Sequence, residues 1–222
     1  TEIVVSPEDD IELRRIRLIN RSGGRRTVEV TSYAEVALAA PAADALHPAF
    51  SKLFVQTEIL QSQRAVLCTR RPRAQGEQPG WLFHLMAVSG ADTGEMSFET
   101  DRARFVGRGR TLASPRALTG PDPLSGSEGS VLDPIVAIRQ EIILDPDQTA
   151  TIDLVTGAAA ARDTAEHLVQ RYQDRHLANR VFDLAWTHNQ VVLQQFGISE
   201  AAAQEYERLA GSMIFANASM RA

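Results

Sequence analysis

The stretch Arg102-Ala103-Arg104-Phe105-Val106-Gly107-Arg108-Gly109-Arg110 sets four guanidinium groups around one aromatic ring. Guanidinium forks pair with phosphate, with a partner's carboxylate or with sugar hydroxyls. Its glycines do not keep the G-x-G-x-x-G spacing of a dinucleotide loop. The structural alternative is a salt-bridge cluster joining two layers, and it is the preferred reading of these residues. A nucleophilic triad requires a base within hydrogen-bond reach of a hydroxyl or thiol. There is no G-x-S-x-G elbow, and the single cysteine lies in the strand-like run Ala65-Val66-Leu67-Cys68-Thr69, where a buried thiol is expected. The five histidines, His47, His84, His167, His176 and His188, show neither H-E-x-x-H nor Cys/His pairing. Neither a metal nor a cofactor is therefore expected. Glu8-Asp9-Asp10 lacks an EF-hand pattern and reads as a solvated turn. Asn20-Arg21-Ser22 and Asn217-Ala218-Ser219 match glycosylation sequons, taken as chance matches.

Sugar recognition needs an aromatic platform for the apolar face of a pyranose and planar polar side chains for its hydroxyls. Trp81 begins an apolar run with Phe83 and Leu85, and Trp186 falls in a helical segment. Both indoles are expected in the core. An aromatic content of 6% argues against an autonomous glucan-binding surface.

The elements that must position these residues change character near residue 157. Before it, residues 26–38 alternate Val28, Val30, Ser32, Ala34, Val36 and Leu38 against Thr27, Glu29, Thr31, Tyr33 and Glu35. That period of two describes a strand with one buried face. Similar runs cover 11–19, 53–60, 64–70, 80–89, 95–105, 135–144 and 149–156. In 11–19 the apolar side switches between Leu13 and Ile16, which predicts a bulge near Arg14-Arg15. Turn-rich links between these runs suggest a large antiparallel sandwich. Residues 39–50 and 106–134 are long irregular stretches, hence candidate contact regions.

After residue 160 the period is helical. Asp163 or Thr164 is expected to cap a helix with Ala165, Leu168, Val169 and Tyr172 on one side. A second helix, 177–196, aligns Leu177, Val181, Leu184, Ala185, His188, Val192 and Phe196, so His188 is expected to pack, and Gly197 suits a left-handed cap. Ser199 caps a third, with Ala202, Tyr206, Leu209, Ala210, Met213 and Ile214 as its stripe.

With 222 residues, 44% of them hydrophobic and 23% charged, the chain can bury a substantial core. Its net charge of -5, with no basic tract, argues against nucleic acid. Of the 23 basic residues, 22 are arginine and one is Lys52, a genomic bias with no functional weight. No apolar run approaches the roughly 20 residues of a membrane span. One cysteine fits a reducing compartment. The opening Thr1-Glu2-Ile3-Val4-Val5 is neither an initiator nor a signal peptide, so a piece of a longer polypeptide is expected.

The series Val5-Ser6-Pro7-Glu8-Asp9-Asp10-Ile11-Glu12-Leu13-Arg14-Arg15, Leu18-Ile19-Asn20-Arg21-Ser22, Thr31-Ser32-Tyr33-Ala34-Glu35-Val36 and His47-Pro48-Ala49-Phe50-Ser51-Lys52-Leu53-Phe54-Val55 carries a family resemblance. It continues through Glu99 to Thr111 and Leu132-Asp133-Pro134-Ile135. These segments resemble the phosphorylase-like region of bacterial cyclic β-1,2-glucan synthases, in glycoside hydrolase family 94. The resemblance implies a mainly β fold, a large antiparallel β-supersandwich similar to galactose mutarotase, followed by C-terminal α-helices. Residues 1–157 would be the supersandwich, 158–198 linker helices, and 199–222 the truncated first helix of an (α/α)6 barrel. The family's chemistry is inverting phosphorolysis, in which one carboxylic acid protonates the glycosidic oxygen while phosphate attacks the anomeric carbon. That acid lies in the barrel, so no catalytic residue is assigned here.

The resemblance thus implies a non-catalytic segment that scaffolds and walls the barrel. By the same analogy His47, Phe50, Arg102, Arg104, Phe105, Arg108 and Arg110 are the candidates for facing the barrel or touching outer sugars. The implied partner is the helical barrel domain of the same polypeptide, with β-1,2-glucan and a second copy as further candidates. The parent would be an inner-membrane protein with this segment on the cytoplasmic face. The alternatives are an autonomous β-glucan-binding module and, less favoured, a mutarotase-type enzyme, for which no His/Glu acid-base pair stands out.

Overall fold

The structure, a computed structural model, describes residues 1–72 and 75–214; the sequon at Asn217 and the last residues of the third expected region lie outside them. Alternating patterns become antiparallel strands in two sheets. The larger contains β1 (Glu2–Val5), β2 (Ile11–Ile19), β10 (Thr149–Ala159), β7 (Trp81–Ser89), β6 (Ala65–Arg70) and β5 (Val55–Leu60), in that order. The smaller is organised on β9 (Pro134–Leu144), which pairs with β3 (Arg26–Thr31), β4 (Ala34–Glu35) and β8 (Asp92–Asp101). The mainly β supersandwich followed by helices is therefore the observed architecture.

Three apolar clusters show why so many strands lack a clean polar face. Val66, Cys68, Met86 and Ile152 of the larger sheet meet Phe98, Val136, Ile138 and Ile142 of the smaller one. On the other face of the larger sheet, Ile11, Leu13, Leu67, Phe83, Leu85 and Val155 pack under α4 (Arg162–Tyr172) and α5 (Arg175–Phe196). The outer face of β9 contributes Ile135 and Ala137 to a third cluster with Phe105, Val106 and Leu124. The molecule is thus layered as helices, sheet, sheet and covering loop. Gly157 belongs to this packing, because a Cβ there would lie 2.5 Å from Phe83 Cζ and 2.7 Å from Ile11 Cγ2.

Several expectations are corrected. β2 pairs with β10 from Ile19↔Thr149 to Ile11↔Gly157 without a register shift, so there is no bulge at Arg14-Arg15. The apolar side switches because both faces of β2 are covered: Ile11 and Leu13 lie under the helices, while Ile16 and Leu18 face the second sheet. Arg15 continues the helix-facing side, buried at 6% exposure, with Asp153 across from it. The run 26–38 breaks at Ser32-Tyr33, and the run 95–105 ends at Asp101, whose carboxylate accepts the Ala103 N–H (2.8 Å) and caps α3 (Arg102–Val106).

Residues 39–50 are not wholly irregular, since Pro41–Leu46 form α1 and Pro48–Lys52 form α2. The N-cap of α4 is Ala161, not Asp163 or Thr164, and α5 starts earlier than 177 because Asp174 accepts the His176 N–H (2.8 Å). Gly197 does take the left-handed cap (φ 62°), and Ser199 Oγ accepts the Ala202 N–H (3.2 Å) at the start of α6 (Glu200–Ile214). Trp186 is 67% exposed and His188 is exposed, so neither packs in the core. Glu8 and Asp9 form a structural clamp rather than a free turn. Glu8 meets Arg171 (3.4 Å) and Arg180 (3.1 Å), and Asp9 meets Arg171 (3.0 Å) and the Tyr172 hydroxyl.

Two buried polar groups set the stability of these layers. Arg15 donates Nε to Asp153 Oδ1 (2.7 Å) and Nη2 to Oδ2 (2.8 Å). Arg15→Met would leave Asp153 buried and uncompensated, costing about 3–5 kcal/mol, whereas adding Asp153→Leu should recover most of the loss. Urea titrations of both variants test this, and a single variant within about 1 kcal/mol of the parent would contradict it.

His84 lies within the sandwich, with Nδ1 2.8 Å from Thr156 Oγ1 and Nε2 2.9 Å from Ser32 Oγ. Burial, helped by Arg14, lowers its pKa from 6.5 to about 4. The unfolded chain therefore binds the extra proton first. The stabilisation is complete above pH 6.5 and is lost as pH falls toward 4, by about 3 kcal/mol. His84→Gln should flatten the dependence of the urea midpoint on pH in that window, and an unchanged slope would contradict the assignment.

Candidate functional site

The first turn of α3 carries the first two candidate arginines. Arg102 donates Nε to Glu35 Oε1 (3.1 Å) and lies 3.6 Å from Asp133 Oδ2. The same two carboxylates receive Lys52 of α2, at 2.8 Å from Asp133 and 3.5 Å from Glu35. Tyr33 completes the cluster by donating its hydroxyl to Glu35 (3.2 Å). Burial acts against the charge on Lys52, yet the hydrogen bond and charge of Asp133, with Glu35, hold its pKa above the ordinary lysine value. Burial likewise pushes the Tyr33 phenol up.

This cluster brings two candidate regions to one place. His47 links α1 to α2 and is exposed, and Phe50 is 57% exposed with its ring edge on Phe54 at 5.2 Å. Both sit on the short helices that Lys52 ties to the carboxylates also holding Arg102. Leu46, Leu53 and Leu132 are exposed in the same segments. Apolar side chains exposed beside fixed charges are a usual mark of a contact surface.

The rest of the arginine stretch divides by environment. Phe105 is buried at 3% exposure and packs on Tyr33 with ring centroids 5.0 Å apart, so its ring holds α3 down and does not face solvent. Arg104 is exposed and 3.8 Å from Asp101. Gly107 (φ +84°) ends α3 in the left-handed region, where Arg116 Cβ lies 2.8 Å from the position of any added Cβ. Arg108 is exposed, and Arg110 donates to Thr119 (3.3 Å).

Behind Arg104 the 116–125 segment folds back to leave a cavity of about 430 Å³ lined by Arg104, Phe105, Arg116, Thr119 and Glu99. Two residues that build this region gave no sequence signal. Glu99, 2% exposed, accepts the N–H groups of Thr100 (3.0 Å) and Asp101 (2.9 Å) and the Ser125 hydroxyl, fixing the irregularity that ends β8. Arg139, 3% exposed, donates to the carbonyls of Asp122 (3.0 Å) and Ala117 and so anchors the covering loop. Arg139 follows Ile135 and Ala137 on a side where alternation calls for an apolar residue, while Glu99 follows Glu95 and Ser97 and reads as a solvated position. Among the described residues, no group of His, Cys, Asp and Glu is arranged to hold a metal. Cys68 is buried, and burial raises its thiol to about 12, which keeps it unreactive.

The sequence profile of the glycosyl hydrolase 94 supersandwich domain matches residues 1–175. The chain is also 34% identical over 221 residues to the cyclic beta-(1,2)-glucan synthase NdvB of Rhizobium meliloti (strain 1021), an alignment covering 100% of this chain and 8% of that protein. The chain thus spans about a twelfth of the length of this relative.

The carboxylate cluster makes a local prediction. Asp133→Ala removes one of the two carboxylates shared by Lys52 and Arg102, and the nearer one to Lys52, so amide exchange across 41–52 should accelerate while the strands stay protected. Unchanged exchange in that segment would mean that the helices are held by other contacts.

Proposed function

Because the chain belongs to the glycosyl hydrolase 94 supersandwich family, we propose that it is a non-catalytic β-sandwich segment of a cyclic β-1,2-glucan synthase, scaffolding and walling a helical catalytic domain of the same polypeptide. The observation that carries this reading is the identity to a named glucan synthase along the whole chain. In this reading residues 1–157 are the supersandwich, 158–198 the linker helices and 199–222 the entry to the barrel, with α6 as its described part. The surface of His47, Phe50, Arg102, Arg104, Arg108 and Arg110 faces that barrel, with Phe105 positioning α3 from within.

The exposure of α6 supports the same assignment. Tyr206, Leu209, Met213 and Ile214 are between 55% and 78% exposed, so its apolar stripe is open along the described helix. Covering such a stripe is worth roughly 1.5–3 kcal/mol per large side chain, and the helical domain is its occupant in this reading. Placement of the parent in the inner membrane, with this segment on the cytoplasmic face, belongs to the same proposal. Among the described residues, no helix is long and apolar enough to cross a membrane. The comparisons do not favour an autonomous glucan-binding module.

Two measurements test the reading. Incubation of the chain with linear β-1,2-glucan and inorganic phosphate should release no glucose 1-phosphate, and turnover above a heat-denatured control would overturn it. The chain on its own should self-associate through the α6 stripe as its concentration rises. Leu209→Glu with Met213→Glu should shift the sedimentation profile to monomer; a strict monomer before substitution would show that the stripe is covered internally.

A further inference from the structure

Trp81 is placed differently from the sequence expectation, and its neighbours give that placement a meaning. The strand register sets Gln56 opposite Thr69 and Thr69 opposite Trp81. Paired residues in an antiparallel sheet share a face, so the three side chains form one row across β5, β6 and β7. Two residues further along, Leu67 and Phe83 on the same face are sealed in the helix-covered core. The Gln56–Thr69–Trp81 row lies at the margin of that cover: Trp81 packs against the cluster beside Arg162, the first residue of α4, while Thr69 and Gln56 continue the row outward to the sheet edge. Gln56 is exposed, and Thr69 and Trp81 are partly exposed. The row lines a cavity of about 390 Å³, which adjoins one of about 510 Å³ lined by the same three residues and Arg162. Two strand spacings make the row about 10 Å long, the scale of a disaccharide.

The charged groups on the rim are already fixed. Arg162 donates Nη1 and Nη2 to Glu58 (2.6 and 2.7 Å) and Nε to Glu166 (2.8 Å), and its guanidinium stands 5.6 Å from the Trp81 ring centroid. Glu128, across the groove, accepts the Ile59 N–H (2.8 Å). Over the two cavities Arg70, Arg71 and Arg162 are balanced by Glu58, Glu77 and Glu128, so no net positive charge selects an anionic ligand. An indole, a hydroxyl, a primary amide and a prepositioned Arg–Glu pair suit a neutral ring with one apolar face and several hydroxyls. We propose that this groove is a binding subsite for a β-linked gluco-oligosaccharide, separate from the α2–α3 surface. The choice of glucan rests on the functional reading above. The contact is weak and serves to hold a chain alongside the larger enzyme.

Trp186→Phe leaves Trp81 as the chain's one indole, so its fluorescence can report directly. Titrating that variant with linear β-1,2-gluco-oligosaccharides and, separately, with cello-oligosaccharides should give saturable change with a Kd of about 1–10 mM for at least one series. Gln56→Ala, on an exposed edge position, should weaken binding roughly three- to tenfold at unchanged Tm. Absence of saturation with both series up to about 50 mM, or full affinity in the Gln56 variant, would overturn the subsite. Saturation with cello-oligosaccharides alone would uphold the groove and count against β-1,2-glucan as the parent's substrate.

Discussion

Arg15 is a buried cation in the middle of a strand, and the union of sheet and helices is organised around satisfying it. Its forked bond to Asp153 crosses β2 and β10, its third contact reaches Asn179 of α5 (2.6 Å), and the ring of Phe182 covers the guanidinium at 4.7 Å. A charge withdrawn from water is tolerated only with such saturation. The partners lie on two other elements, Asp153 on β10 and Asn179 and Phe182 on α5, so a helix shift or strand slip exposes the pair. The Glu8–Asp9 clamp on Arg171 and Arg180 repeats this logic at the surface, where each link is worth less.

The same constraint explains the opposite side of the molecule. β9 is buried on both faces, one against the larger sheet and the other beneath Phe105, Val106 and Leu124. Arg139 on that outer face must be satisfied, and backbone carbonyls of the covering loop do so. A long glycine- and proline-rich loop is thereby held against the sheet rather than left free. Its fixed course positions α3, and with it the arginines proposed to face the helical domain.

The sequence made β6, β7 and β9 legible as apolar runs bounded by turn residues, although both faces of each are covered, and helix α5 was marked by its period and by Gly197. It misled in β2, where the covered apolar residues change side partway along the strand. The switch at Leu13–Ile16 resembles a bulge because both a bulge and a second core invert the apolar side, and only the register separates them. Phe105 reads from the sequence as a candidate for facing the barrel or touching sugars, and its inward placement was not legible, since the capping by Asp101 that turns strand into helix is a single local bond. Glu99 and Arg139 gave no signal, because a buried charge has no sequence signature without its distant partners. Trp81 was placed in the core by the company of Phe83 and Leu85, and it does pack against that cluster, but from its rim and partly exposed beside the start of α4.

The central claim is that this chain is a wall and scaffold whose exposed helix stripe and α2–α3 surface meet the rest of a larger polypeptide. Hydrogen exchange on the chain alone and within the longer polypeptide tests it most directly. The account predicts added protection confined to 200–214, 41–52 and 102–110, with the strands unchanged. Identical exchange in those three segments in both settings would contradict it.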